Sequence, residues 1–260
     1  MSLPLLDSLE FPDILAHHSL TGDETLGLHS SEEIIAYLKT LSNPENVAGM
    51  AKFGINPDST LGISMPVIRD TAKQVGRDHA LALELWASGI HEARILAALV
   101  DEPSKVTPEQ MDALVADFDS WDVCDQACAN LFDRIPIAPH KALDWSGREA
   151  EFEKRAGFAL MACLAWHDKK ADDAVFESFL PVIVREATDE RNYVRKAVNW
   201  ALRQIGKRNA NLNGQAIEIS RQLLQIDSKS ARWIASDALR ELTSEAVQSK
   251  IHREVGIRMR

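Results

Sequence analysis

Within nine residues, Asp117-Phe-Asp-Ser-Trp-Asp-Val-Cys-Asp125, four carboxylates stand beside one tryptophan. Acids at that density can cap helices, hold a metal or stabilise a developing positive charge. Ser120 has the character of an N-cap, and in a helix opening there Trp121 and Asp125 are i and i+4 on one face. Asp122 points about 100° away, in the first turn, where negative charge is favourable. The spacing therefore separates a capping group, Asp119 and Asp122, from Asp125, the acid beside an aromatic ring. The plainer alternative is that all four only solvate and cap. Calcium is not indicated, because the Asp-x-Asp-x-Asp-Gly spacing is missing.

The second constellation is Arg191-Asn-Tyr-Val-Arg-Lys-Ala-Val-Asn-Trp-Ala-Leu-Arg-Gln-Ile-Gly-Lys-Arg208. Lys196, Trp200, Arg203 and Lys207 fall at i, i+4, i+7 and i+11, a single helical stripe. Val194, Ala197, Val198, Ala201, Leu202 and Ile205 supply apolar contacts beside it. Cations above and below a tryptophan suit a groove in which they hold phosphates and the ring meets a sugar or base. A structural Trp200 with snorkelling neighbours is the competing reading.

The charge distribution bears on that choice. The 260-residue chain has a net charge of −10, which argues against a polyanion partner until it is divided. Residues 1–150 hold 24 acids and 10 bases, whereas residues 151–260 hold 15 acids and 19 bases. Residues 191–217 contain six basic side chains and no acid. A polyanion feels the local field, so this stretch is a candidate phosphate-binding face. A solvated basic helix balancing acidic neighbours is the alternative.

Other chemistry lacks support. Cys124 and Cys128 have no nearby third and fourth ligand for zinc. His167-Asp168 reads as a loop after a helix over 151–166, with no companion pair for a metal. Gly-x-Gly-x-x-Gly, Walker-A and Gly-x-Ser-x-Gly motifs are all missing. No metal and no organic cofactor are expected. Three cysteines and an acidic Met1–Glu10 stretch make a disulfide framework and a signal peptide unexpected. A cytoplasmic protein is expected, without a membrane span because no run of 18 apolar residues exists.

The elements that must position these residues are helical throughout. Periodic segments fall at about 31–41, 44–53, 65–75, 78–87, 90–100, 107–118, 120–133, 139–145, 151–166, 172–187, 190–208, 213–225 and 229–242. Ser31, followed by Glu32 and Glu33, reads as the first helix opening. Pro66, Pro108 and Pro181 stand near helix starts. Four segments share a basic residue followed by small and apolar ones, beginning at Arg94, Arg155, Lys196 and Arg232. The last three begin 41 and 36 residues apart, a period suited to a helix pair. Such pairs bury their apolar faces only against each other, so they stack into a solenoid. If the second helix of each pair lines the inner surface, those four basic residues form a row along its concave side. The expected architecture is all-α, one irregular α-solenoid domain over 1–260, with a divergent helical segment at 1–40.

The phrases Ser120-Trp-Asp-Val-Cys-Asp125, Lys154-Arg155-Ala and Asn192-Tyr-Val-Arg-Lys-Ala-Val-Asn-Trp-Ala-Leu-Arg203 resemble the bacterial DNA alkylation repair proteins of the AlkD-like family. The resemblance runs from about Leu41 to Leu242. It implies HEAT-like repeats whose concave face grips duplex DNA. It implies a monofunctional glycosylase that releases cationic N3- and N7-alkylpurines, such as 3-methyladenine and 7-methylguanine, without a base-flipping pocket. The family's catalytic aspartate falls on Asp125, its sugar-contacting tryptophans on Trp121 and Trp200, and its backbone-contacting arginines on Arg155 and Arg203. Lys196, Lys207 and Arg232 join them as expected DNA contacts. The expected partner is double-stranded DNA containing alkylated bases, bound by a monomer and so nucleoid-associated. A relative that binds damaged or branched DNA without catalysis, or a protein scaffold, would share the fold.

Overall fold

The computed structural model describes residues 27–258, with side chains through Ile251. The expected N-terminal segment therefore lies outside the described residues over 1–26. Helices run α1 (Ser31–Thr40), α2 (Pro44–Ala51), α3 (Met65–Val75), α4 (His79–Ala87), α5 (His91–Val100), α6 (Pro108–Ala116) and α7 (Trp121–Asn130). After a 3-10 turn at Phe132–Arg134 come α8 (Ala138–Ser146), α9 (Glu151–His167), α10 (Asp173–Glu177) and α11 (Leu180–Glu186). The chain continues through α12 (Asn192–Gly206), α13 (Ala210–Leu224), α14 (Lys229–Leu242) and α15 (Glu245–Arg258). No strand occurs among the described residues. None of the described helices is long and apolar enough to cross a membrane.

Local chemistry starts and stops these helices. The first cap is Ser30 rather than Ser31: its side chain accepts from the Glu33 amide while Glu33 reaches back to the Ser30 amide. Ser31 is buried and donates its hydroxyl to Glu84 at 2.7 Å. Asp78, Thr107, Asn209 and Ser228 cap α4, α6, α13 and α14 through their side chains, each worth about 1 kcal/mol. One expected helix over 172–187 is instead two, α10 and α11. Pro181 lacks an N–H and its ring would strike the carbonyl of residue 177, so a single helix cannot run through.

The helices stack as pairs. The second members, α5, α7, α9, α12 and α14, pack on one another in that order. Their partners cover them from the other side, α4 on α5, α8 on α9, α11 on α12 and α13 on both α12 and α14. Helix α9 is the central member, and every residue from Lys154 to Ala165 is buried. Its close approach to α8 requires Gly157, where a Cβ would come within 2.4 Å of the Ser146 nitrogen. This layer of second helices carries Trp121, Asp125, Arg155, Lys196, Trp200, Arg203 and Arg232, with Lys207 at the C-terminal end of α12.

Candidate functional site

Helix α7 carries Asp125 on its second turn, and α9 carries Arg155 at the equivalent height. They form a two-pronged ion pair: Arg155 Nε donates to Oδ1 at 3.0 Å and Nη2 to Oδ2 at 2.7 Å. The third arm, Nη1, donates to the Tyr193 carbonyl on α12 at 2.8 Å. One guanidinium thus ties three neighbouring helices together. Asp125 is only 3% exposed and Arg155 is also buried. Burial pushes the Asp125 carboxyl above its ordinary value, with the Arg155 charge and hydrogen bonds working against it. Burial works against the arginine's charge too, but Asp125 outweighs that and holds it above its usual value. The two side chains meet in the fork geometry of a carboxylate–guanidinium pair.

Trp121 stands at the first turn of the same helix, and Arg155 lies 6.0 Å over its ring. One of the two electron-rich faces of that indole thus already holds a cation. Its Nε1 donates to the Phe53 carbonyl at 3.1 Å, and the Tyr193 hydroxyl donates to the Gly54 carbonyl at 3.3 Å. The loop after α2 therefore rests on both residues that frame the Asp125–Arg155 pair.

The α12 stripe divides in two. Lys196 is half-buried and has no carboxylate partner among the described residues. Burial, then the charges of Arg155 and Arg195, hold its ammonium below the ordinary lysine value. Arg195 stacks over Trp233 at 4.9 Å. One turn on, Trp200 is 6% exposed, and its indole N–H has no hydrogen-bond partner among the described residues. Sequence spacing suggested an open stacking ring, whereas the ring is buried within the apolar core. Lower on the helix, Arg203 is buried against Glu241 and Asp237. Lys207 Nζ meets Glu241 at 2.6 Å. Acids on α14 thus neutralise the C-terminal half of the stripe, a pairing that helical spacing within α12 cannot reveal.

The remaining basic row also breaks. Arg232 lies on the surface and pairs with Asp227 at 3.0 Å. Arg94 turns toward the loop before α7, donating to the Asp117 carbonyl at 3.1 Å. The acids likewise diverge. Ser120 is the N-cap residue but makes no side-chain cap bond. Asp119 accepts from Asn56 at 2.9 Å instead of capping. Asp122 accepts from the Val123 amide at 3.0 Å and from His91 Nε2 at 2.8 Å. No cluster of three or more His, Cys, Asp or Glu suited to a metal occurs among the described residues. All three cysteines are free and buried, and burial pushes the thiols of Cys128 and Cys163 well above their ordinary value.

A family model described as DNA alkylation repair enzyme matches residues 34–242. The chain belongs to the DNA alkylation repair enzyme family. A solved structure described as a new family of proteins related to the HEAT-like repeat DNA glycosylases with affinity for branched DNA structures is similar in fold. It matches with a TM-score of 0.69 and 17% identity, over 82% of this chain and 96% of that one. The helix-pair stack is accordingly a HEAT-like solenoid. No curated protein matches the chain.

Three residues of this family member escaped sequence reasoning. Tyr193 joins Arg155 to the loop at 53–54, yet it looked like any apolar helix position. His91 anchors Asp122 from 31 residues away. Glu92 is fully buried and accepts the amides of Leu61, Gly62 and Ile63 at 2.6–3.1 Å. An acid among the small and apolar residues of 91–100 was the one available signal.

Proposed function

We propose that the protein is a monofunctional DNA glycosylase that hydrolyses the N-glycosidic bond of cationic alkylated purines in duplex DNA. The single observation that carries this reading is Asp125, held by the two-pronged Arg155 contact on the layer of second helices, with the same guanidinium over the Trp121 ring. A purine alkylated at N3 or N7 leaves as a neutral base and needs no general acid. One carboxylate therefore suffices, unlike the paired acids of ordinary glycoside hydrolysis. As the bond breaks, positive charge moves onto the deoxyribose. Asp125 faces that charge and orients the attacking water, while the Trp121 face adds about 0.5–2 kcal/mol of cation–π attraction. At about 4 Å and an effective dielectric near 20, the carboxylate contributes up to about 4 kcal/mol, roughly a thousandfold in rate.

Arg155 fixes the carboxylate's orientation and keeps it charged. The phosphate-holding cation on this reading is Lys196, with Arg195 beside it, because neither has an acid partner among the described residues. Arg203 and Lys207 hold the scaffold around them, and Arg232 sits in a surface pair with Asp227. Trp200 serves as a packed support through its neighbours rather than as an open stacking face.

A second reading has its own support. The similar structure is described as having affinity for branched DNA, and the guanidinium already neutralises Asp125 in this chain. A catalytically silent binder of branched DNA fits both facts. The test is release of free base from methylated duplex DNA, run beside binding to a four-way junction and to its linear arms. Appearance of 3-methyladenine or 7-methylguanine supports the glycosylase. No release at high protein concentration, with tighter binding to the junction, supports the binder.

A further inference from the structure

Large apolar side chains are seldom exposed among the described residues, and one of the exceptions lies against the site. Phe53 is 48% exposed at the tip of the loop between α2 and α3. Helix α2 itself buries no residue, so this segment is not folded into the core. Yet its tip is firmly held. The Phe53 carbonyl takes the Trp121 indole N–H, and the Gly54 carbonyl takes the Tyr193 hydroxyl.

Position 54 also excludes a side chain. Gly54 has φ +77°, and a Cβ there would lie 1.6 Å from the Tyr193 hydroxyl oxygen. Further along, Asn56 binds Asp119 at 2.9 Å and the Ser59 carbonyl accepts from the His91 amide at 2.9 Å. The root is clamped by the three amides that the buried Glu92 carboxylate accepts. Next to the ring, Lys52 is exposed and has no ion-pair partner among the described residues.

We infer that the Lys52–Phe53 tip is a DNA-reading element, in which Phe53 inserts at the base step beside the damaged nucleotide and Lys52 meets the flanking phosphate. The inference rests on the DNA reading of the same site. Its physical basis is the combination of exposure and rigidity. An apolar ring held in water by seven polar contacts around its loop, with an unpaired cation beside it, is presented to a partner that is both apolar and anionic. Stacked bases flanked by phosphates have that character, and apolar wedges that enter a base step exploit it. A nucleotide whose stacking is weakened by damage or by a missing base yields most easily, so the wedge would select distorted duplex over intact duplex.

The test uses the full chain and two duplexes of one sequence, one intact and one carrying a stable abasic analogue, with 2-aminopurine placed next to that analogue. Wild type should bind the abasic duplex more tightly and raise the 2-aminopurine fluorescence as the neighbouring base unstacks. Phe53→Ala should bind intact duplex within twofold of wild type. It should lose about tenfold of its preference for the abasic duplex, the loss of one base–aromatic stack, and lose the fluorescence rise. Phe53→Trp should restore both. Since Phe53 is half-exposed, a melting temperature within a few degrees of wild type checks that the variants fold. Unchanged preference and fluorescence in Phe53→Ala would overturn the wedge and leave the DNA reading standing. Wild type that binds neither duplex at low salt would overturn both.

Discussion

Two aspartates one turn apart on α7 stand in opposite circumstances. Asp122 is partly exposed and looks toward α5, where its partner is the imidazole of His91. Asp125 is buried and looks toward α9, where its partner is the guanidinium of Arg155. One pair contains an imidazole, a side chain whose ordinary value lies near neutrality, the other a guanidinium, which stays charged at every relevant pH. The contrast shows that helical spacing chooses the face, but the neighbouring helix chooses the role. Asp122 belongs to the frame, and Asp125 is the candidate reacting carboxylate.

The sharpest way to break this comparison is to neutralise each acid in turn. Asp125→Asn should lower base release by about a thousandfold, the full value of the carboxylate in the transition state. Its affinity for DNA should be equal to or better than wild type, since an acid facing phosphates is gone.

Arg155→Gln should cost about 3 kcal/mol in chemical unfolding, because a buried carboxylate loses its counterion. The same variant should move the acid limb of base release. Burial sets the Asp125 carboxyl above about 3.9, so wild-type activity should fail as pH drops through that raised value. Without the opposing guanidinium, the limb should move to still higher pH in a pH–rate profile. An unmoved limb would separate Arg155 from the ionisation of Asp125.

Asp122→Asn should leave base release nearly unchanged and cost about 1–2 kcal/mol in stability, through the weakened charged hydrogen bond to His91. Burial alone would lower the His91 value, but the Asp122 hydrogen bond and charge prevail and raise it. A raised histidine stabilises the fold fully below its unfolded value near 6.5 and loses that contribution as pH rises through the folded value. The stability gap between wild type and variant should therefore be widest below about pH 6.5 and narrow above it. A gap that widens with rising pH would contradict the pairing.

The smallest effect concerns the divided stripe on α12. Lys196→Ala should reduce the salt slope of DNA binding by about one unit, as expected for one lost phosphate contact. Lys207→Ala should leave that slope unchanged, because Glu241 already holds its ammonium. Equal slopes in the two variants would remove the division.

The all-helical stack and its pair period were legible because apolar periodicity reports burial directly. So was the shared face of Trp121 and Asp125, which depends only on residues within one helix. What stayed hidden depends on other helices. Nothing inside α12 signals that Glu241 and Asp237 would neutralise Arg203, or that Trp200 would be enclosed. Ser120 held the expected cap position, yet its hydroxyl lies 3.5 Å from His91 Nδ1 and caps nothing. The loop tip at Phe53–Gly54 reaches Tyr193 across 139 positions of sequence, a distance over which no local pattern carries information.

The measurement that tests the central claim most directly is single-turnover release of 7-methylguanine from methylated duplex by wild type, Asp125→Asn and Asp122→Asn in parallel. Release by wild type and Asp122→Asn at similar rates, with Asp125→Asn slower by about a thousandfold, is the predicted result. Release by Asp125→Asn at the wild-type rate, or loss of release in a folded Asp122→Asn, would contradict the assignment of the carboxylate.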